Sequence, residues 1–235
     1  MTRPFRRHQE MVSNIVRAIA GRQTDVRDIL AAVTPGGGKS LLPVIAAARL
    51  IEAGVADRVC WIVPRDSLRL QAEEAFIDPV WRTALGHSLT VRAAENSPDP
   101  CRGLQGYVTT YQAVAAAPEL HLAEFQRHRY LLAIDELHHL PALSDLDNLT
   151  NAADETAWSH SILPLLELSA VRLLMSGTLQ RTDGKAILWL PYKQPQGARR
   201  MREIDFNAES WAIVGYSRRQ ALARSEEHTS ELQSL

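Results

Sequence analysis

The sequence predicts an α/β protein whose mainly parallel β-sheet lies between layers of helices. Short apolar runs, typical of buried strands, alternate along the chain with longer stretches that favour helix. Strands that are apolar on both faces are typical of parallel sheets, because helices cover both faces. Two of the apolar runs end in polar segments, and the carboxyl ends of such strands are where α/β proteins bind ligands.

The predicted elements follow one another in a regular order. Strands are predicted at residues 29–34, 58–63, 89–93, 106–110, 130–135 and 171–176. Helices are predicted at residues 8–20, 40–53, 67–76, 118–128 and 161–168. Residues 96–100 read Asn-Ser-Pro-Asp-Pro, which is typical of a loop. Residues 144–159 are polar and lack clear periodicity, so we expect a flexible loop beside the functional site.

Length and composition set broad bounds on the protein. The chain has 235 residues, enough for one domain with a sizeable core. Its formal net charge is −1, so charge gives no overall signal for nucleic acid. Arginines do cluster at positions 3, 6 and 7 and at positions 199, 200 and 202. These clusters either contact nucleic acid or lie on solvated faces of an arginine-rich chain.

Several classes of protein are disfavoured by the sequence. Two cysteines are too few for a disulfide framework or a zinc site. The chain has neither the His-Glu-x-x-His pattern of zinc hydrolases nor the Gly-x-Ser-x-Gly turn of serine hydrolases. It also lacks an apolar run of about 18 residues and a secretory leader. We therefore expect a cytoplasmic protein without a membrane partner.

A glycine-rich segment follows the first predicted strand and precedes the second predicted helix. It reads Val33, Thr34, Pro35, Gly36, Gly37, Gly38, Lys39 and Ser40. Consecutive glycines let backbone N–H groups approach the phosphates of a nucleotide, and a helix N-terminus favours the same anion. Lys39 would place an ammonium near the outer phosphates, and Ser40 would hold magnesium through its hydroxyl. Val33 departs from the strict pattern, which has glycine there.

Lysine usage separates this segment from an ordinary glycine turn. Only three of the 26 cationic residues are lysine, at positions 39, 185 and 193. A compact ammonium suits phosphate, and this chain uses arginine almost everywhere else. The composition therefore favours a phosphate-binding loop.

A second motif lies about a hundred residues downstream, where the apolar run 130–134 ends in Asp135 and Glu136. Asp135 would hold magnesium together with Ser40, and Glu136 would position the attacking water. Taken alone, the two carboxylates are equally typical of a solvated pair at a strand end. With the phosphate loop upstream, Glu136, Asp135 and Lys39 become the candidate catalytic residues of a nucleoside triphosphatase.

The order of these and further segments resembles the superfamily 2 helicases and translocases of the DEAD/DEAH-box type. Within them, the chain is most similar to the Asp-Glu-x-His group related to restriction-enzyme motor subunits. The segment 5–9 resembles the adenine-reading motif, with Arg6 and Gln9 in the informative positions. The segments 63–71 and 108–112 resemble two nucleic-acid-contacting motifs, which implies contacts from Pro64, Arg65, Thr109 and Thr110.

The resemblance extends to a coupling motif. Ser176, Gly177 and Thr178 resemble the Ser-Ala-Thr motif, with glycine in the middle. His138 matches the fourth position of the Asp-Glu-x-His motif, where it would link the nucleotide site to Ser176 and Thr178. Residues 181–184 and 215–217 resemble segments just beyond this motif.

The resemblance implies a RecA-like domain that binds ATP and Mg²⁺ in a cleft shared with a second RecA-like domain. It covers residues 3–190 well, so we expect the N-terminal motor domain at residues 1–190 and the start of a connection at 191–223. The second domain, with its arginine finger, is expected to be absent from this sequence. The implied partners are nucleic acid, more readily DNA than RNA, and subunits of a restriction or defence system.

The residues themselves are compatible with two functions. One is an ATP-driven nucleic-acid motor, and the other is a nucleotide-binding switch or scaffold that does not translocate. The hydroxyls and charge of the contact motifs favour the motor, because they suit phosphate contacts that carry no base specificity.

The end of the chain has an unusual composition. Residues 224–235 resemble the in-frame translation of a common sequencing-library adapter, with a short amphipathic tail as the alternative. We therefore expect residues 224–235 to be non-native and the natural protein to continue past residue 223.

Overall fold

A sheet of parallel strands forms the centre of the protein. The computed structural model describes residues 5–143, 153–193 and 203–216. The sheet has the strand order β3-β4-β2-β5-β6-β1-β7, and every neighbouring pair is parallel. The strands are β1 (Asp28–Val33), β2 (Arg58–Val63), β3 (Val91–Ala93), β4 (Gly106–Thr110), β5 (Tyr130–Ile134), β6 (Val171–Ser176) and β7 (Trp211–Tyr216).

Helices cover both faces of this sheet. They are α1 (Arg7–Ala20), α2 (Leu42–Glu52), α3 (Ser67–Ile77), α4 (Pro79–Leu85), α5 (Tyr111–Ala116), α6 (Pro118–Arg127) and α7 (Ala153–Leu168). The first four pack on one face and the last three on the other. Short 3₁₀ helices follow β1 and β5, at Lys39–Leu41 and Leu137–His139.

The strands bury both faces, which explains their apolar sequences. In β2, Val59, Trp61 and Val63 pack into one hydrophobic cluster, while Cys60 and Ile62 pack into the other. This alternation follows from the two-residue period of a strand. The sequence therefore reads as a continuous apolar run, and the prediction of an α/β fold with a mainly parallel sheet between helix layers is confirmed.

All six predicted strands are present, but two α-helices and one strand of the described residues were not predicted. These are α4, α5 and the edge strand β7, which pairs with β1. The predicted helix 161–168 begins earlier, at Ala153, so residues 153–159 are helical rather than part of a flexible loop. This first part of α7 is polar, with Asp154 and Glu155 in its first turn, where carboxylates stabilise a helix N-terminus.

The predicted helix 40–53 also differs in its beginning. Lys39–Leu41 form a 3₁₀ turn, and the α-helix begins at Leu42. Pro43 explains the difference, because it has no N–H to donate to the carbonyl of Lys39 and its ring would clash with that carbonyl in an α-helix.

Some predictions fall outside the described residues. These are the arginines at 3, 199, 200 and 202, residues 144–152 of the predicted loop, Ser217, and the tail 224–235. Of the predicted connection 191–223, only residues 191–193 and 203–216 are described. Within the described ranges, no helix combines the length and apolar character needed to cross a membrane.

Candidate nucleotide site

Three polar segments meet at the carboxyl edge of the sheet because β5, β6 and β1 are neighbours. Asp135 and Glu136 follow β5, Ser176 ends β6, and the glycine-rich segment follows β1. The sheet therefore brings together motifs that are about a hundred residues apart in the chain.

The glycine-rich segment has a tightly turned backbone. Gly36 and Gly38 have φ angles of 76° and 83°, which L-residues rarely adopt. The Gly37 N–H donates to the Thr34 carbonyl at 2.9 Å and closes the turn. A Cβ atom on Gly38 would lie 2.9 Å from Nε2 of Gln9, so neighbouring side chains also require glycine there.

Lys39 lies between the two candidate carboxylates. Its ammonium is 3.2 Å from Asp135 Oδ1 and is also hydrogen-bonded to Glu136 Oε1. All three side chains are at most 24% exposed. The phosphate loop is thus joined directly to the end of β5 by a shared, poorly solvated ion-pair network.

Burial and Lys39 have opposite effects on the pKa of both carboxylates. Burial raises the pKa of Asp135 above its usual value, and the nearby Lys39 only partly offsets this effect. Burial also acts to raise the pKa of Glu136, but the hydrogen bond and charge of Lys39 outweigh it, so this pKa is lowered. The ionised form of Glu136 is therefore favoured, while burial makes Asp135 more basic than an ordinary aspartate.

Glu136 also contacts the segment that follows β6. Its Oε2 accepts a hydrogen bond from the Gly177 N–H at 3.3 Å and lies 3.4 Å from Nδ1 of His138. A Cβ atom on Gly177 would come within 3.2 Å of Cδ of Pro35. Glycine instead of the alanine typical of this motif thus eases the approach of the phosphate loop.

His138 joins the end of β5 to the end of β6. Its Nδ1 is 3.0 Å from Ser176 Oγ. The Ser176 hydroxyl donates to the Thr178 carbonyl, so its oxygen accepts from the Thr178 N–H and from Nδ1–H of His138. Burial and the neighbouring His139 lower the pKa of His138, which keeps the imidazole neutral near pH 7.

The residues present fit a magnesium ion bound with a nucleotide. Lys39 shows that a cation can lie between Asp135 and Glu136. Ser40 follows Lys39 with an exposed side chain, available to a ligand. Magnesium is commonly held by one or two protein oxygens and completed by phosphate and water, so Asp135 and Ser40 are a sufficient pair.

Arg6 and Gln9, the predicted adenine readers, contact the phosphate loop. Arg6 Nη1 donates to the Gly36 carbonyl at 2.9 Å, and Gln9 Nε2 donates to the Gly38 carbonyl at 3.1 Å. Gln9 Oε1 accepts from the Arg6 N–H at 2.8 Å, which caps α1. Both ends of the Gln9 amide are thus engaged within the protein, and Gln9 would have to release them to read a base.

The predicted nucleic-acid contacts lie at the neighbouring strand ends. Pro64 and Arg65 follow β2, and Thr109 and Thr110 end β4, its partner in the sheet. Arg65 is exposed, whereas the side chain of Thr109 is fully buried and that of Thr110 caps α5 by accepting from the Ala113 N–H. In this conformation, therefore, the hydroxyl of Thr109 is not available to a strand.

Two residues of the site were missed by sequence reasoning. Tyr111 donates from its hydroxyl to the backbone carbonyl of Asp135 at 2.6 Å. Arg181, only 7% exposed, donates to the His138 carbonyl and pairs with Glu155 and Asp183 at 2.8 and 2.7 Å. Both belong to segments that resembled helicase motifs, but only the fold brings them to the end of β5.

Comparisons with known proteins identify the family of this chain. Residues 3–181 match the family model described as type III restriction enzyme, res subunit. The uncharacterised protein Rv2917 of Mycobacterium tuberculosis is 29% identical over 170 residues, which cover 72% of this chain and 25% of that protein. The uncharacterised protein ML1624 of Mycobacterium leprae is 28% identical over 169 residues, covering 71% and 25%. The chain thus spans about a quarter of the length of these relatives.

Solved helicase structures share the fold. The UvsW helicase of bacteriophage T4 matches 77% of this chain and 54% of its own, with 19% identity and a TM-score of 0.50. The Sulfolobus solfataricus SWI2/SNF2 ATPase core, solved with double-stranded DNA, matches 78% and 34%, with 16% identity and a TM-score of 0.52. The type ISP restriction-modification enzyme LlaGI matches 95% and 21%, with 12% identity and a TM-score of 0.53.

These matches confirm the resemblance to restriction-enzyme motor subunits of superfamily 2 and the RecA-like fold that it implied. The chain carries a helicase-type domain, and it belongs to the family of type III restriction enzyme res subunits.

Proposed function

We propose that this chain is the first motor domain of an ATP-driven nucleic-acid translocase or helicase. The observation that carries the proposal is the convergence of Lys39, Asp135 and Glu136 at one edge of the sheet, in a chain of this family. The second RecA-like domain is proposed to lie beyond residue 223 of the full-length protein.

The residues divide the work of ATP hydrolysis between them. With a nucleotide bound, Lys39 would pair with the outer phosphates instead of its carboxylate partners, and Asp135 would then be available to hold magnesium together with Ser40. Magnesium would supply positive charge to the phosphoryl oxygens. Glu136, held ionised and oriented by the Gly177 N–H, accepts a hydrogen bond from the attacking water.

His138 is proposed to couple this chemistry to motion. Its Nδ1 lies close to both Glu136 Oε2 and Ser176 Oγ, so a change at the phosphate would reach the segment after β6 through adjacent contacts. The arginine finger is assigned to the second domain. Because such a finger contributes ~10³–10⁵ in rate, the present chain alone is expected to hydrolyse ATP slowly.

The nucleic-acid partner is proposed to bind at the ends of β2 and β4. Arg65 is exposed there, beside Pro64 and near Thr110, the last residue of β4. Charge and backbone contacts at this edge suit sugar-phosphate rather than base edges. DNA is favoured as the substrate, and a restriction or defence system as the setting, by the family to which the chain belongs.

Phosphate release tests the proposal. The present chain should show little turnover with or without DNA, while a protein extended through the second domain should show turnover that DNA stimulates. Glu136→Gln in the extended protein should abolish turnover but preserve nucleotide binding. Turnover that DNA does not change would instead favour a nucleotide-binding switch that does not translocate.

A further inference from the structure

Tyr111 joins two parts of the carboxyl edge that the proposed function treats separately. It is the first residue of α5 and follows Thr110, the last residue of β4. Its side chain is fully buried, and its hydroxyl donates to the Asp135 carbonyl at 2.6 Å. The bond therefore spans from the end of β4 to the end of β5, past the intervening strand β2.

The hydrogen bond controls the orientation of one peptide plane. The carbonyl of Asp135 and the N–H of Glu136 belong to the same planar peptide and point in opposite directions. Tyr111 holds the carbonyl, while the N–H donates to Oδ1 of Asp135 at 3.0 Å. Rotation of this peptide would therefore withdraw the donor that orients the Asp135 carboxylate.

The same peptide is held in a disfavoured conformation. Glu136 has a φ angle of 53°, in the left-handed region that residues other than glycine rarely adopt. Such a conformation persists where surrounding contacts hold it. The Tyr111 hydroxyl is one contact of this kind, since it fixes the carbonyl on the N-terminal side of Glu136.

The ring of Tyr111 is clamped by its neighbours. It stacks on Trp158 of α7 with ring centroids 5.5 Å apart, and the edge of His139 lies against it at 6.3 Å. Burial raises the pKa of Tyr111 well above its usual value, so the hydroxyl keeps its proton and stays a donor. Because Tyr111 belongs to α5 and its buried side chain has little room to change rotamer, a shift of α5 would displace the hydroxyl.

We propose that Tyr111 is a positioning residue that links the end of β4 to the carboxylate of Asp135, the proposed magnesium ligand. The link runs through the Asp135–Glu136 peptide. The inference rests on the proposed function, since it takes Asp135 as the magnesium ligand and the end of β4 as a strand contact. Contact of a strand with the end of β4 shifts α5, and Tyr111 passes the shift to the peptide that orients Asp135.

Magnesium dependence of nucleotide binding tests the link. A fluorescent ATP analogue is bound to the present chain at increasing Mg²⁺, with and without a single-stranded oligonucleotide of mixed sequence. Tyr111→Phe should raise the Mg²⁺ midpoint about three- to tenfold, as expected for one lost buried hydrogen bond. Its affinity for the Mg²⁺-free analogue should stay within about twofold of the parent, because no hydroxyl contact to the phosphates is lost.

The oligonucleotide distinguishes a link between the end of β4 and Asp135 from an effect confined to the Asp135–Glu136 peptide. It should move the Mg²⁺ midpoint of the parent by about threefold or more, and that of Tyr111→Phe hardly at all. Tyr107→Phe is the matched control, since it removes an equally buried hydroxyl from β4 that bonds to His121 instead. It should behave as the parent does.

The outcomes distinguish a failure of the proposed function from a failure of the Tyr111 link alone. A parent chain that binds neither the analogue nor the oligonucleotide contradicts the proposed function, and the link falls with it. If the parent binds both, the link alone is overturned by an unchanged midpoint in Tyr111→Phe, by a parent midpoint that ignores the oligonucleotide, or by an equal shift in Tyr107→Phe.

Discussion

Single polar residues away from the nucleotide site are buried in defined protonation states. His121 is 2% exposed, and its Nε2 lies 3.3 Å from Asn96 Oδ1. Since the Asn96 amide nitrogen donates to the Ala113 carbonyl, Oδ1 is the acceptor and Nε2 carries the proton. Nδ1 then accepts from the Tyr107 hydroxyl at 2.9 Å. A second proton on Nδ1 would require the Tyr107 hydroxyl to turn and accept instead of donate.

This arrangement predicts acid sensitivity. Burial lowers the pKa of His121 to about 4, and Glu119 offsets this only in part. The unfolded chain, with a pKa of ~6.5, binds the proton more readily, so stability is lost as pH falls from about 6.5 towards 4. The loss attributable to His121 is on the order of 3 kcal/mol in full.

Urea unfolding at pH 7 and pH 5 measures this effect. The free energy of unfolding should be lower at pH 5 than at pH 7. The decrease should be smaller in His121→Gln, which cannot titrate. An identical pH dependence in the variant and the parent would assign the acid sensitivity to other groups, such as His87, whose pKa burial also lowers.

At the scale of elements, the N-terminus of α1 supports the phosphate loop. Arg6 and Gln9 donate to the carbonyls of Gly36 and Gly38, so they fix the conformation of the loop through its carbonyls and do not occupy its N–H groups. Helix α1 thus helps to fix the conformation of the loop that follows β1. A base read by Gln9 would loosen one of these bonds, which connects base recognition to the phosphate loop.

Two alanine substitutions separate backbone strain from this support. Both glycines have positive φ, so Gly36→Ala and Gly38→Ala should each cost roughly 1–2 kcal/mol of stability. A Cβ on Gly36 meets nothing within 4 Å, whereas one on Gly38 would displace Gln9. Gly38→Ala should therefore cost about 1 kcal/mol more, for the lost hydrogen bond. Equal costs in urea unfolding would contradict a supporting role for Gln9.

How far the sequence predicts this structure depends on whether the signal is local. The apolar strands, the glycine turn and Asp135-Glu136 each have a local pattern, and the parallel sheet brings them together as predicted. The short helices α4 and α5 have too few residues for a periodic signal. The contacts of Tyr111 with Asp135 and of Gln9 with Gly38 join distant segments, so no local pattern reveals them.

At the scale of the whole molecule, the carboxyl edge divides into two regions. The ends of β5, β6 and β1 carry the candidate nucleotide-binding residues, and the ends of β2 and β4 carry the candidate strand contacts. The opposite edge has a buried ion pair instead, where Arg172 bonds to Asp28 and lies over the ring of Trp189. A buried ion pair and the proposed functional residues thus lie at opposite ends of the strands.

The candidate strand surface predicts weak, sequence-tolerant and salt-sensitive binding. Arg65→Ala should weaken binding to all sequences alike and make the salt dependence shallower by about 0.7 per lost phosphate contact. Fluorescence anisotropy with labelled single strands between 50 and 200 mM salt, a range of roughly fourfold, measures both quantities. Arg127→Ala is the matched control, as an exposed arginine at the end of α6, which leads into the opposite edge. Salt-independent binding, or equal losses in both variants, would contradict this surface.

Mg-ATP binding by the present chain tests whether Lys39 and the two carboxylates form a nucleotide site. A ligand at ~10 times its dissociation constant stabilises the fold by ~1.4 kcal/mol, which raises the melting temperature by roughly 3–5 °C at this size. Lys39→Ala leaves two carboxylates without their cation, so its melting temperature starts lower, and the ligand-induced shift is the quantity to compare. Lys193→Ala, which removes an exposed lysine paired with Glu203, is the control. We expect a shift in the parent and in Lys193→Ala that is absent from Lys39→Ala, and an equal shift in all three would show that Lys39 takes no part in binding the nucleotide.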